Sequence, residues 1–417
     1  MSFFSKTALT EEKYIPPSLK WMFIVAGVLI AIGVINVYSA TYYMNVKMGV
    51  NPYGHFIRHI IYLVIGVVAG GFAAKCPKNW IRGYAFWWSF VTVGLLIGVA
   101  LFGTNVNGAT RWIYLGSFSL QPSEIAKVTA LIWAAALLAT HVVKGEKITL
   151  IERFLRPFIH FSDRKKKENT FQSMLCYFMP LYAPLIMAVF VLKQPDMGTA
   201  SIILAFPVAL YILAGLPWSE LIKGSILLVG MVAVLIVTAP YRLQRVMVLI
   251  DPFSDPTDKG YQTVQSLIAV GSGGLLGQSF GEGMSKFLYL PEQFTDFAFA
   301  VFSQEFGFIG SVTLLILYLA FFLFGFSVAR ELKEIYAALL VYGLTMLISV
   351  QGILNIAMVI GCFPVTGVPL PFISFGGSSL VMNVITLGLI WGTTVQSLAE
   401  TDWEERRRRI NAMEGRG

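Results

Sequence analysis

Asp296, in the string YLPEQFTDF, is the side chain of this sequence best placed to do chemistry, because it ends a polar stretch and opens a long apolar run. A carboxylate at such a junction can take a proton as a general base, cap the helix that follows, or give an oxygen to a divalent cation. Other polar groups lie inside or at the ends of apolar runs, where each is costly and therefore a functional candidate. Glu124 and Lys127, in QPSEIAK, share a helical face. They form an ion pair that fixes packing or, for Lys127, meet a phosphate. Asp196, in QPDMGT, caps a helix or lines a site where proline and glycine break the chain. Arg58, Arg111, Arg242 and Arg245 could grip phosphate oxygens by bidentate contact, or headgroups at a membrane surface. Gln262 and Gln265 could read hydroxyls or satisfy loop backbone. Ser378 and Ser379, after PVTGVPLPFISFGG, open the last helix as caps or line a site.

The elements that must hold these groups are membrane spans. Of 417 residues, 56% are hydrophobic and 13% charged, and the mean hydropathy is +0.70, the composition of a polytopic membrane protein. A bilayer core about 30 Å thick needs roughly 20 apolar residues per helix. Ten such runs start near Trp21, Ile60, Tyr84, Ile125, Met174, Thr199, Ile222, Phe297, Tyr336 and Ser378. Barrel-type alternation is not seen, so the expectation is an all-α polytopic membrane protein with about ten transmembrane helices, a single integral-membrane domain over 1–417. The first run lacks a clear cleavage site and is read as an uncleaved span. Pro364, Pro369, Pro371, Gly376 and Gly377 cannot make a regular span, which predicts a re-entrant segment near the carboxyl end. The glycine-rich VGSGGLLGQSFGEG is either a substrate-gated lid or tight-turn packing.

Basic residues set the orientation, since cytoplasmic loops retain Lys and Arg. With the amino terminus inside, 22 of the 31 Lys and Arg fall on the cytoplasmic side and 8 outside, with Lys127 within a span. Segment 1–20, the basic loop 144–173 and the basic tail 399–417 are then cytoplasmic, both termini included. The large loop 240–297 is extracytoplasmic. The net charge of +8 is thus mainly a topological signal, and without a basic folded domain no nucleic-acid partner is expected. Cys76, Cys176 and Cys362 are too widely spaced for a disulfide framework or CxxC site, the histidines make no HExxH pair, and no Walker loop points to a nucleotide cofactor.

NGATRW, QPSEIAK, QPDMGT, APYRLQR with DPFSDP, GYQTVQS, LPEQFTDF and TGVPLPFISFGGSS resemble, in this order, the motifs of the SEDS family (shape, elongation, division and sporulation). The resemblance runs from about residue 21 to 398, and Ala239-Pro240-Tyr241-Arg242 is closer to the division and sporulation branch than to the elongation branch. It implies a peptidoglycan glycosyltransferase that polymerises lipid II, an undecaprenyl-pyrophosphate-linked substrate, outside the bacterial cytoplasmic membrane for septal or spore wall. It also implies Asp296 as catalyst, a class B penicillin-binding protein transpeptidase as partner, and other membrane proteins of the divisome. Two residues depart from the pattern: Phe294 stands where the family commonly has His, and Gln304 where it often has Glu.

In that reaction an acceptor hydroxyl attacks an anomeric carbon whose leaving group is a lipid pyrophosphate. The leaving group is good and needs charge stabilisation more than protonation. One carboxylate base with cationic or metal help therefore suffices, unlike the carboxylate pair of hydrolytic glycosidases. Arg58, Arg111, Lys127, Arg242 and Arg245 would supply the cations, and Mg2+ or Mn2+ near Asp296 would suit its oxygens, although no dedicated cage is legible. Two other functions compete: a transporter that flips a lipid-linked precursor, which also needs broken helices, and a non-catalytic scaffold of a division complex.

Overall fold

In a bilayer every backbone N–H and C=O must be paired without help from water, so long apolar runs become helices. The computed structural model of the chain describes residues 14–106, 109–116, 118–143, 164–215, 222, 226, 230, 248–254, 260–278, 281 and 290–414. In chain order the helices are α1 (Pro17–Lys47), α2 (Gly54–Lys75), α3 (Lys78–Gly83), α4 (Ala85–Phe102), α5 (Pro122–Val143), α6 (Arg164–Lys193), α7 (Met197–Leu213), α8 (Tyr261–Ser272), α9 (Ala298–Glu331), α10 (Ile335–Val359) and α11 (Gly377–Glu414). Among the described residues, seven are long and apolar enough to cross a membrane: α1, α2, α4, α5, α9, α10 and α11. The apolar stretches Met179–Lys193 of α6 and Met197–Leu213 are shorter. The run expected near Ile222 lies almost wholly outside the described residues, as does 144–163 of the basic loop, whose remainder already belongs to α6.

Three short strands interrupt the helices, which an all-helical reading does not include: β1 (Thr104–Val106), β2 (Ala109–Leu115) and β3 (Phe118–Leu120), antiparallel in the order β1-β2-β3. Val106 pairs with Ala109. Between them in sequence stands Asn-Gly, the dipeptide that most favours a two-residue hairpin.

Helix packing relies on small residues, because lipid supplies no hydrophobic drive between spans. Along α2 and α11 the backbones come so close that a Cβ on Gly388 would fall 2.0 Å from the Gly70 carbonyl oxygen, and one on Gly392 2.4 Å from that of Ala74.

The proline- and glycine-rich segment 361–376 is non-helical and enters the protein interior, with Val368, Leu370, Phe372 and Ile373 buried. Its carbonyls, which no helix satisfies, accept from side chains of neighbouring spans. Asn355 Nδ2 donates to Val368 O at 2.8 Å, Gln351 Nε2 to Pro369 O at 2.9 Å, and the Tyr318 hydroxyl to Pro371 O. Irregular backbone at membrane depth is tolerated on such terms.

The large loop is less irregular than its polarity suggests. Within it, α8 buries Thr263, Val264, Ser266 and Ala269, and the Ser266 hydroxyl donates to Val359 O at 2.9 Å. The glycine run that follows packs tightly. A Cβ on Gly273 would lie 2.3 Å from Ser303 O and one on Gly277 2.0 Å from Glu305 O. It docks where α9 breaks at Gly307 (φ 65°, ψ −163°), and its carbonyls at Gly274 and Leu275 accept from the Phe308 and Ile309 N–H groups freed there. Of the two readings of this run, tight packing is the one these contacts match.

Candidate active site

A tight turn precedes α9. The N–H groups of Thr295 and Phe297 each donate to Glu292 O at 3.2 Å, and the Thr295 hydroxyl donates to the Glu292 carboxylate at 2.7 Å. Closing this turn holds Glu292 in the left-handed region at φ 52°, a strain of the kind that gathers at functional sites. The turn sets Asp296 at the head of α9. From α10, the Asn355 amide donates at 2.8 Å to Asp296 O and at 2.8 Å to Val368 O, stapling the turn to segment 361–376. Gly367 (φ 69°) faces the carboxylate, and a Cβ there would stand 3.5 Å from Asp296 Oδ2. Asp296 keeps part of its surface open.

The break between α6 and α7 comes to the same place. Asp196 is buried and caps α7, accepting from Thr199 N at 3.0 Å. Gly198 lies so near segment 361–376 that a Cβ would fall 2.2 Å from Thr366 O. Arg111, on β2, donates through Nε to Gln194 O at 3.1 Å and also to Pro195 O, tying the sheet to the break. Its positive field reaches both aspartates, without offsetting their environment. Burial pushes the Asp296 carboxyl up to about 7, with Glu292 and Asp196 adding to the rise and Arg111 opposing it. Burial likewise raises Asp196 against the pull of Arg111 and the Thr199 hydrogen bonds.

Glu124 and Lys127 meet as the packing alternative expects. They form a buried pair, Lys127 Nζ to Glu124 Oε2 at 2.9 Å, and the ammonium also donates to Gln351 Oε1 at 3.0 Å. Ser378 joins the head of α11 to the start of α5: its hydroxyl accepts from Gln121 N at 2.9 Å and donates to Ser119 O at 2.7 Å. Ser379 is buried beside it. Arg58 stands exposed on α2 with no hydrogen bond or ion pair among the described residues. Gln262 and Gln265 are half-buried on α8. Arg242 and Arg245 lie outside the described residues. Phe294 packs edge-on against Phe375, ring centroids 5.9 Å apart, and against His55 at 5.4 Å. The Gln304 amide donates to the Ser272 hydroxyl at 2.7 Å.

Reading by motif passes over Gln351, Tyr318 and Gly367. The first had a signal: Gln351 and Asn355 are one helical turn apart inside an apolar span, a costly pairing that implies partners. Among the described residues no three His, Cys, Asp or Glu side chains converge as metal ligands. They make no cage for a divalent cation at Asp296.

These features define a multi-pass helical membrane protein with a partly open carboxylate of raised proton affinity at the end of its bundle. A family model for FtsW, RodA and SpoVE, described as "Cell cycle protein", matches residues 19–397, and the chain belongs to that family. It is 34% identical over 378 residues to a Coxiella burnetii protein described as "Probable peptidoglycan glycosyltransferase FtsW", covering 89% of this chain and 94% of that one. A Neisseria gonorrhoeae protein of the same description is 32% identical, over 94% of this chain and 85% of its own. Among solved structures, a chain described under "Structural coordination of polymerization and crosslinking by a peptidoglycan synthase complex" superposes with a TM-score of 0.69 at 25% identity, covering 90% of this chain and 97% of that one. The rod shape determining protein RodA of Thermus thermophilus gives 0.62 at 24% identity over 90% and 96%, a likeness of fold.

Proposed function

We propose that this protein is a peptidoglycan glycosyltransferase of the division type, joining lipid-linked disaccharides into glycan strands on the outer face of the cytoplasmic membrane. The observation that carries the reading is Asp296: a partly open carboxyl at the head of α9, fixed through Asn355, facing the bare backbone of Gly367, with proton affinity near 7. A base is most effective when its pKa lies near the working pH. The acceptor hydroxyl gives its proton to an Asp296 oxygen as its own oxygen bonds the anomeric carbon. The bond from that carbon to the pyrophosphate breaks, and the electron pair leaves on the pyrophosphate. Arg111 supplies the described positive charge beside the site. Its bonds to Gln194 O and Pro195 O hold it in place before substrate arrives, so little reorganisation opposes the reaction.

The division assignment is supported by the descriptions of the curated relatives. The cytoplasmic placement of both termini, and hence the outer placement of Asp296, is supported by the bias of basic residues. A class B penicillin-binding protein as partner is supported by likeness to a chain of a complex that couples polymerization to crosslinking. Mg2+ or Mn2+ enters only as a separate proposal, and polymerisation undiminished in chelator removes it.

The test is purified protein in lipid, given lipid II. Wild type makes glycan polymer, and Asp296→Asn binds lipid II but makes none. Polymer from the variant at the wild-type rate overturns Asp296 as base. Wild type that moves lipid II across the bilayer without polymer is a transporter, and cells that build septa normally with the variant contain a scaffold.

A further inference from the structure

Asp296 sits where two stretches of irregular backbone meet, the turn 292–297 and the segment 361–376, neither of which belongs to a helix. Near the carboxylate, the Asn355 amide joins them at Asp296 O and Val368 O. They are joined a second time at Phe294 and Phe375. The Phe375 N–H donates to Phe294 O at 2.8 Å, and the two rings meet edge to face, centroids 5.9 Å apart. A third ring comes from the outer end of α2: His55 lies 5.4 Å from the Phe294 ring and 5.2 Å from that of Phe375, closing a triangle. This imidazole is oriented as well as packed. His55 Nδ1 donates to Asn45 Oδ1 at 2.8 Å, and Asn45 Nδ2 donates to Pro52 O at 3.0 Å. An amide oxygen only accepts, so the proton of the first bond is on Nδ1. Asn45 is fully buried, and with both ends of its amide taken it cannot turn without losing a bond that burial makes costly.

We propose that His55 is a positioning residue for the candidate base: acting through Phe294, it holds the turn that carries Asp296 against segment 361–376, an inference that rests on the glycosyltransferase reading. Phe294 is two residues from Asp296, inside a turn whose Thr295 and Phe297 N–H groups both close onto Glu292 O. The backbone between ring and carboxylate therefore has little freedom to absorb a shift at Phe294. Glu292 keeps its left-handed φ of 52° in the same turn, a conformation that persists where the surroundings over-determine it. Asn355 constrains the turn on one side and the ring triangle on the other. Loss of one ring contact is a small matter for the fold, whereas a displacement of about 1 Å at a reacting group can cost about 10²-fold in rate. His55 therefore contributes more to the rate than to folding.

The test uses the full-length protein in lipid nanodiscs, assayed for polymer from lipid II and, on the same samples, for amide hydrogen exchange. His55→Ala is expected to lower kcat about tenfold with KM within about twofold of wild type. The pH of half-maximal rate is expected to move below 7, because a looser turn admits water to a carboxyl that burial raises. Phe294→Ala should do the same, and His55→Ala/Phe294→Ala should be no worse than either alone, since both act along one route. His55→Phe, which keeps a ring and gives up the Asn45 bond, should fall between wild type and His55→Ala. Should His55→Ala fold poorly, Asn45→Leu, which frees the imidazole without removing it, is expected to shift kcat and the pH profile in the same directions. Tyr42→Ala, an exposed ring on α1 outside the triangle, keeps the wild-type values. Exchange over 290–297 needs no turnover and is expected to quicken about tenfold in His55→Ala, with α10 unchanged. Wild type that makes no polymer therefore refutes the enzyme reading and leaves the clamp to be judged by exchange. Losses that multiply in the double variant, a lower kcat with an unmoved pH profile, or unchanged exchange over 290–297 overturns the proposal.

Discussion

Two groups of charge in or at the edge of the core lie side by side in this protein, and they are balanced differently. Glu124 and Lys127 carry equal and opposite charge at 2.9 Å, and Gln351 takes a further donor of the ammonium. Their neighbours, Asp296 and Asp196, are two carboxylates beside one arginine whose bonds go to main-chain carbonyls. The first group is closed and holds α5 to α10. Among the described residues the second has one arginine for two carboxylates, and burial, with Glu292 and Asp196 close by, keeps the Asp296 carboxyl able to take a proton near neutral pH. At the other end of the bundle Lys78, buried, meets both Glu334 and Glu400. Arg82 stands 4.0 Å from Glu334 there, and both glutamates keep contact with solvent, so burial together with like charge nearby separates the candidate base from architecture.

The contrast can be broken from either side. The largest effect is expected at Asp296: Asp296→Asn lowers polymerisation by about 10²–10⁴-fold, measured as glycan from lipid II, while the rate of the wild type falls about tenfold per pH unit below pH 7 and levels above it. Lys127→Met, which leaves Glu124 buried and alone, is expected to cost about 3–5 kcal/mol of stability in detergent unfolding. The double variant Glu124→Gln/Lys127→Met then recovers most of it together with activity. Failure to recover activity would give Lys127 a role in the chemistry. Asn355→Leu, which strips a donor from Asp296 O and Val368 O, is expected to cost on the order of 2 kcal/mol and to lower kcat. Gly367→Ala, forced into a left-handed backbone, costs about 1 kcal/mol.

Stability against pH gives the finest test. The Asp296 carboxyl is raised by burial from its ordinary 3.8 to about 7, so the folded protein favours its protonated form. That contribution is fully present below about pH 4 and lost as pH rises through 7. The melting temperature of wild type relative to Asp296→Asn should therefore fall between pH 4 and 7. A difference constant across that range would mean the carboxyl is already ionised in the folded state.

Much of this was readable along the chain. Apolar runs of membrane length declared the spans, because a bilayer permits little else, and the junction of polar and apolar sequence singled out Asp296. Breaks such as QPD and the proline-rich 364–371 were legible as breaks, since proline cannot continue a ladder. The sheet at 104–120 was not, because its two outer strands have three residues each, too few for any periodicity, and the seven of β2, ATRWIYL, do not alternate apolar with polar. Nor was α8, whose Gln262 and Gln265 hide a buried face one residue further on.

The sequence, taken alone, settles the helical class and the approximate span positions, and it singles out Asp296 as the candidate, since each depends on local composition and residue type. It does not settle which polar groups meet. That Asp196 and Asp296, one hundred positions apart, share the field of Arg111, while Lys127 is taken up by Glu124 and Gln351, follows from how the breaks between spans are packed. Electrostatic balance is a property of distances in space, and the same residue types could have been paired otherwise.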